Sequence, residues 1–199
     1  MVETAEQRGN QLGLEIRQTR RGRAIVGHAA VFFNEDDPGT QFEIAPEIFE
    51  RVAPKAFDRF LATDQDIVAL FNHDIDNVLG RRSAGTLRVH TDKIGLRYEV
   101  DLPASFLGEQ IQESVNRGDL QGSSFTFLPF GENGATFDFR EGIRTLNDVD
   151  VLDVGPVTFP AYDATTVDAR ALSLARTNWR KFEAKKRLAQ VRLLGIIGK

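Results

Sequence analysis

Short apolar or alternating runs, broken by Gly, Pro, Asn and Asp, dominate the chain from Leu12 to about Tyr162. Alternation with a period of two is typical of β-strands, because successive side chains of a strand point to opposite faces. The pattern therefore predicts a mainly antiparallel β domain. The predicted strands are Leu14–Thr19, Ala24–Phe33, Ile67–Phe71, Thr86–His90, Leu96–Leu102, Ser124–Pro129 and Leu146–Val154.

Two segments have helical spacing instead. The apolar residues of Ala104–Arg117 fall near one helical face, with Pro103 near the start and Gly118 directly beyond the end. Both are favoured at helix termini. A shorter helix is predicted over Pro54–Ala62. The predicted fold class is mainly β with helices, a β-rich α+β domain.

The residue composition changes after Tyr162, first to small polar residues and then to the basic stretch WRKFEAKKRLAQVRLL. A chain of 199 residues suits one domain with an appendage. We predict a flexible N-terminus over residues 1–11, one folded domain over 12–162, and a polar linker with a basic helical or disordered tail over 163–199. The tail is either a solvated surface element or an extension, docking or self-cleavable, that binds an acidic partner.

Composition narrows the function classes. The net charge of −4 argues against a general nucleic-acid binder, and the absence of Cys excludes disulfides and a cysteine nucleophile. No apolar run approaches the roughly 20 residues needed to span a bilayer, and the polar start lacks the pattern of a signal peptide. The sequence predicts a soluble, cytoplasmic protein without membrane or nucleic-acid partners.

His73 stands just after the predicted strand Ile67–Phe71, in LFNHD, where a scaffold can hold an imidazole that still reaches solvent. An imidazole in that position suits general-base chemistry. The other two histidines, His28 and His90, fall inside strand patterns and are interpreted as structural. Metal binding by the NHDID stretch is the competing use, but a zinc site wants further ligands at recognisable spacing. We predict no metal and no cofactor.

Ser124 follows Gly122 and Ser123 at the start of the apolar run FTFLPF. Small neighbours let a substrate backbone approach a nucleophile closely and free backbone N–H groups for an oxyanion. The stretch is not GxSxG, so the nucleophile elbow of α/β-hydrolases does not apply. The alternative is a strand start that uses Gly-Ser-Ser as turn residues.

Asp153 lies in VDVLDVGPVTFP, where acids alternate with Val and Leu. Asp150 and Asp153 are separated by an odd number of positions, so they face opposite sides of an unbulged strand. An inward carboxylate needs a partner, and an imidazole N–H is a suitable one. The alternative partners are Arg side chains or backbone donors.

Taken together, these stretches resemble the prohead proteases of tailed bacteriophages and prophages, serine peptidases distantly similar to herpesvirus assemblins. The resemblance runs from about Ile25 to Tyr162, through GHAAVFF, EIAPEIFERVAPKAF and FNHDIDNVLGRRSAGTLRVHTDKIGLRYEVDL. LQGSSFTF places the nucleophile on Ser124 and not on Ser123, and VLDVGPVTFPAY places the third residue on Asp153. The chain departs from the family pattern at two places. Asp153 stands where the family more commonly has Glu, and Gly155 and Pro156 stand where the family usually has Ser and the residue after it.

The resemblance implies a compact β-barrel of the assemblin type, decorated by helices, with the His and Ser on neighbouring strands. It implies that residues 12–162 are a serine endopeptidase domain with His73, Ser124 and Asp153 as catalytic residues. The implied substrates are scaffolding protein or the scaffold-like extension of the major capsid protein, inside the assembling procapsid in the host bacterial cytoplasm. Self-cleavage and a homodimer are also implied.

Two other functions stay open. A noncatalytic capsid-assembly or scaffolding module with the same fold is motivated by the departures at Asp153 and Gly155, and a general hydrolase of small esters is the third reading. For the oxyanion, backbone N–H groups or Arg81, Arg82 and Arg144 are the candidate donors.

Overall fold

The computed structural model describes residues 5–160, 174 and 176–187. Strands dominate this part of the chain. In chain order, β1 to β13 span Glu6–Asn10, Glu15–Thr19, Gly22–Val31, Phe42–Ala45, Ile48–Val52, Val68–Leu70, Val78–Arg81, Leu87–Thr91, Gly95–Asp101, Gly122–Pro129, Ala135–Asp138, Ile143–Leu146 and Val149–Val157. The helices are α1 (Asp58–Ala62) and α2 (Phe106–Arg117), with a 3₁₀ turn over Pro38–Thr40 and further helix over residues 176–187.

The described strands form three sheets. The first has the order β1-β10-β13-β6-β7, the second β2-β3-β9-β8 and the third β11-β12-β5-β4. The predicted β-rich α+β class is confirmed. The ladders between the described strands do not close into one ring, so the compact barrel implied by the resemblance is seen here as three packed open sheets.

Aromatic side chains fill the core between the first two sheets. Phe125 and Phe127 of β10 stack with ring centroids 4.9 Å apart, and Phe57 meets the Phe125 ring edge-on at 5.8 Å. Tyr98 and Val100 of β9 belong to the same buried cluster. Burial of this apolar area is the main stabilising term of the domain, and it fixes the core-facing side of β10.

Both predicted helices are present. The longer helix, α2, ends at Gly118, whose φ of 79° is left-handed and favours glycine. The shorter helix, α1, begins only at Asp58, because residues 54–57 form a turn. The predicted strand Leu146–Val154 is instead two strands, β12 and β13, with a break at Asn147 and Asp148, whose amides both donate to the Gly134 carbonyl.

The prediction of a flexible N-terminus over residues 1–11 is wrong for residues 6–10. These residues form β1, which pairs antiparallel with β10 over five register positions. Glu6, Arg8 and Asn10 are buried although their side chains are polar. Sequence patterning failed because a strand held by charged partners has no apolar alternation. The strands β4, β5, β7 and β11 were also not predicted.

The basic tail is helical over residues 176–187 and contacts the third sheet. Arg176 is buried and donates to the carbonyls of Glu47 and Glu141, and Trp179 stacks on Phe139 at 6.4 Å. The rest of the predicted tail, including the polar linker, lies outside the described residues. In the described part of the chain, the helices are too short or too polar to cross a bilayer.

Candidate active site

Ser124 lies on the face of β10 that turns away from the aromatic core. Its side chain shares this face with Thr126, two positions along the strand, and Ser124 is opposite Gly155 in the ladder between β10 and β13. The adjacent Ser123 faces the other way, where its hydroxyl lies 3.1 Å from the buried Tyr98 hydroxyl. Burial raises the pKa of Tyr98, so this pair is a neutral core contact. Of the two serines, only Ser124 has the orientation expected of a nucleophile.

Asp153 reaches the same face because β13 is bulged. Thr126 is opposite Asp153, but the next residue, Phe127, is opposite Val151, so Leu152 is an extra residue in β13. A bulge breaks the alternation of side chains along a strand. Val151 therefore faces the core while Asp153, two residues later, faces the site. The odd–even rule applied to Asp150 and Asp153 assumed an unbulged strand and does not hold here.

His73 lies in a turn after β6 whose backbone is left-handed. Asn72 and His73 have φ angles of 54° and 56°, a region that non-glycine residues visit rarely and at a cost. The turn is attached to the end of β13: the Asn72 amide donates to the Pro156 carbonyl at 3.0 Å. The Asn72 side chain also accepts from the Thr158 amide at 2.8 Å and donates to the Thr158 hydroxyl at 3.2 Å.

These three segments place the three predicted residues in one hydrogen-bonded chain. His73 Nδ1 lies 2.5 Å from Asp153 Oδ1, and His73 Nε2 lies 2.7 Å from Ser124 Oγ. An ionised carboxylate can only accept, so Nδ1 carries the proton and the lone pair of Nε2 faces the serine oxygen. Thr126 Oγ1 lies 3.1 Å from Nδ1 and adds a second polar contact that fixes the ring.

The strand order corrects one implication of the resemblance. In the first sheet β13 lies between β6, which precedes His73, and β10, which carries Ser124. The histidine and the serine are therefore not on neighbouring strands. The intervening strand supplies Asp153, so the imidazole bridges across it.

Gly155 has a packing reason to be glycine. A Cβ at this position would lie 1.9 Å from the backbone oxygen of Leu70, far inside any allowed contact. The close approach occurs where β13 pairs parallel with β6, one residue after Val154 is matched with Ala69. The close packing of β6 against β13 therefore explains why glycine stands where the family has Ser.

The other candidate groups have partners of their own. Asp150 pairs with Arg59 at 2.7 Å. The carboxylate of Asp74 closes the turn by accepting from the Asp76 amide and the Asn77 side chain. Of the arginines considered for the oxyanion, Arg81 pairs with Asp66, Arg82 donates to the Gln65 carbonyl and Arg144 pairs with Glu6 and Glu50.

Ser124 is fully buried, because β1 covers the free edge of β10. Gly9 lies opposite Ser124, and the Ser124 hydroxyl donates to the Arg8 carbonyl at 2.7 Å. A cleft of about 620 Å³ opens instead beyond the end of β1, where Asn10 and Leu12 form part of its lining. The Ser124 side chain is thus covered by the chain's own strand β1.

Sequence reasoning missed three supporting residues, Asn72, Thr126 and Thr158. A signal existed for the first: Asn is one of the few residues that tolerate a left-handed backbone, and it directly precedes His73 in LFNHD. Nothing local marked the two threonines, whose contacts depend on the register of β10 and β13.

The Ser–His–Asp chain has the same arrangement of side chains as the triad of serine hydrolases. A family model described as caudovirus prohead serine protease matches residues 12–180. The chain therefore belongs to the caudovirus prohead serine protease family, whose role is procapsid maturation.

Two other comparisons add context. Among solved structures, the bacteriophage T4 capsid assembly protease, gp21, matches with a TM-score of 0.49 and 12% sequence identity, over 78% of this chain and 99% of that one. No curated protein sequence matches the chain.

Proposed function

We propose that the chain is a serine endopeptidase in which Ser124 attacks the scissile carbonyl, His73 is the general base and Asp153 orients the imidazole. The observation that carries the proposal is the continuous hydrogen-bonded chain from Ser124 Oγ through both ring nitrogens of His73 to Asp153 Oδ1. Residues 12–162 form the protease domain in this proposal, with the sequence beyond them as an appendage.

The proposed reaction follows from this geometry. His73 Nε2 takes the hydroxyl proton as Ser124 Oγ bonds to the carbonyl carbon, and Asp153 stabilises the imidazolium that forms. The imidazolium then gives its proton to the leaving amine as the C–N bond breaks. Water, deprotonated by the same nitrogen, hydrolyses the acyl-enzyme and restores Ser124.

The proposed substrates are scaffolding protein or the scaffold-like extension of the major capsid protein, cleaved inside the procapsid, together with the chain itself. Family membership supports a role among capsid and scaffold proteins. The dimer remains a prediction, as does the location in the host cytoplasm.

The test is coexpression of the chain with the capsid protein that is encoded beside it, followed by measurement of the intact masses of the proteins. Wild type should shorten the capsid or scaffold protein, and Ser124→Ala should leave it intact, with a loss on the order of 10⁶-fold in rate. Ser123→Ala is the matched control, because its hydroxyl faces Tyr98 on the other side of β10. Processing by Ser124→Ala would refute the assignment.

The noncatalytic scaffolding alternative makes a different prediction. A scaffold would not react with a serine-directed fluorophosphonate, whereas the proposed enzyme should be labelled on Ser124 once the site is open. Under the third hypothesis, that the chain is a general esterase, it would hydrolyse simple esters without a capsid partner.

A further inference from the structure

The strand β1 lies where an extended substrate would have to bind. Serine proteases commonly hold the substrate backbone as an added strand beside the active site, since main-chain hydrogen bonds give affinity without regard to sequence. In the first sheet β1 is the outermost strand, and its removal would leave β10 as a free edge with Ser124 on it. The residues before position 12 also lie outside the segment matched by the family model.

The contact at the nucleophile is an unproductive one. The Ser124 hydroxyl has a single proton and two acceptors for it, the Arg8 carbonyl oxygen at 2.7 Å and His73 Nε2 at 2.7 Å. In a reactive complex the proton belongs to the imidazole, and the carbonyl oxygen accepts from oxyanion donors instead. The Arg8–Gly9 peptide therefore occupies the nucleophile and competes with the base for its proton.

The side chains of β1 are held by a buried charge cluster of two residues from β1 and two from the third sheet. We call this cluster the charged quartet. Arg8 pairs with Glu50 at 2.6 Å, and Arg144 pairs with Glu6 at 2.6 Å and with Glu50 at 2.5 Å. All four residues are at least nine-tenths buried. Its members are Glu6, Arg8, Glu50 and Arg144.

We propose, on the basis of the proposed function, that β1 is a self-blocking strand seated in the substrate position. A substrate polypeptide displaces β1 and adds to the edge of β10. Its acidic side chain takes the place of Glu6 against Arg144, and its basic side chain, two residues later, takes the place of Arg8 against Glu50. The specificity implied is an extended acid-x-base segment, with the basic residue nearest Ser124.

The test measures how fast a fluorophosphonate labels Ser124 in full-length variants. In Gly9→Val, a Cβ at position 9 would lie 2.7 Å from both Pro160 Cβ and the Ser123 carbonyl oxygen, which forces β1 off the edge. Labelling should rise at least tenfold. Gln7→Val, at an exposed position of the same strand, is the matched control and should label at the wild-type rate.

A second variant tests the same proposal independently, in case Gly9→Val does not fold. Glu6→Ala/Arg8→Ala removes both charged anchors of β1 but leaves Glu50 and Arg144 paired with each other, and it should also label at least tenfold faster. An unchanged rate in both variants, with wild-type circular dichroism, would overturn the self-blocking strand. Slower labelling of both variants would also overturn the self-blocking strand, because it would show that β1 helps Ser124 to react. The proposed function would stand in that case. If none of the folded proteins labels, the proposed function itself fails.

The charge preference is tested with a peptide added to Gly9→Val. The probe is the blocked peptide AEQRGNQL, which copies residues 5–12. It should slow labelling by refilling the edge, and a peptide with both charged residues replaced by Ala should be at least tenfold less potent. Equal potency of the two peptides would overturn recognition by Glu50 and Arg144.

Discussion

The two edges of β10 hold their neighbours by different physics. On one edge, β13 pairs over eight register positions and brings Asp153 to His73 through short, directional hydrogen bonds. On the other edge, β1 pairs over five positions and is anchored by the charged quartet. The polar chain on the β13 side therefore depends on geometry, whereas the β1 side depends on charge balance and is the one suited to exchange.

The largest effect should come from breaking the β13 side. Asp153→Asn keeps the shape but can present its amide to Nδ1, which places the imidazole proton on Nε2, where it cannot accept from Ser124. We expect acylation to fall about 10⁴-fold with the fold unchanged. Fluorophosphonate labelling in the Gly9→Val background measures the rate. Asp150→Asn, whose partner is Arg59, should have little effect, and a loss below tenfold for Asp153→Asn would contradict the proposed role.

The β1 side should be broken most strongly by Arg144→Met. The substitution leaves two buried carboxylates with one guanidinium, and removing one partner from a buried ion cluster costs about 3–5 kcal/mol. Urea unfolding of wild type and variant gives the free energy of unfolding. Arg17→Met removes an exposed pair with Glu15 and should leave the midpoint unchanged. Equal midpoints for Arg144→Met and wild type would show that the quartet contributes nothing.

A smaller effect is expected at the turn that delivers His73. Asn72→Ala loses both side-chain contacts with Thr158 and places alanine in the left-handed region, a cost of about 2 kcal/mol in total. Asn72→Asp keeps the acceptor for the Thr158 amide and should lie between alanine and wild type. Urea unfolding, together with the labelling rate, separates the three. Full stability in the alanine variant would remove the turn as a positioning element.

The smallest effect is a pH dependence on the β1 side. Burial alone would raise the pKa of Glu6, but hydrogen bonds and charge attraction from Arg144 and Arg8 outweigh it and hold the pKa below its ordinary value of 4.5. A lowered folded-state pKa adds stability that is present above pH 4.5 and is lost as the pH falls through the folded value. Glu6→Gln lacks this contribution, so the stability gap between wild type and variant should narrow below pH 4.5. A constant gap down to pH 3 would contradict the assignment.

The sequence was informative where side-chain chemistry and local pattern coincide. Alternation located β2, β3, β8, β9 and β10, and helical spacing located α2, because each buries an apolar face against one core. His73, Ser124 and Asp153 were predicted from local context and family resemblance, since each stands at a strand end or in an otherwise apolar strand, and the structure brings the three together.

The rest depended on register and on distant partners. The bulge at Leu152 has no local signature, and the contacts of Thr126 exist only once β10 and β13 are aligned. The quartet draws its members from positions 6, 8, 50 and 144, so no window of sequence contains it. A charged strand such as β1 has the composition of a flexible terminus, and only its tertiary partners make it a strand.

The bulge in β13 means that the site depends on how two strands are aligned as well as on residue type. If β13 were paired with β10 without the bulge, Leu152 would be opposite Thr126 and Asp153 would be opposite Phe125, so the carboxylate would face the aromatic interior and leave the imidazole without an acceptor. One backbone irregularity, which a comparison of motifs does not register, therefore decides which face of β13 carries the acid.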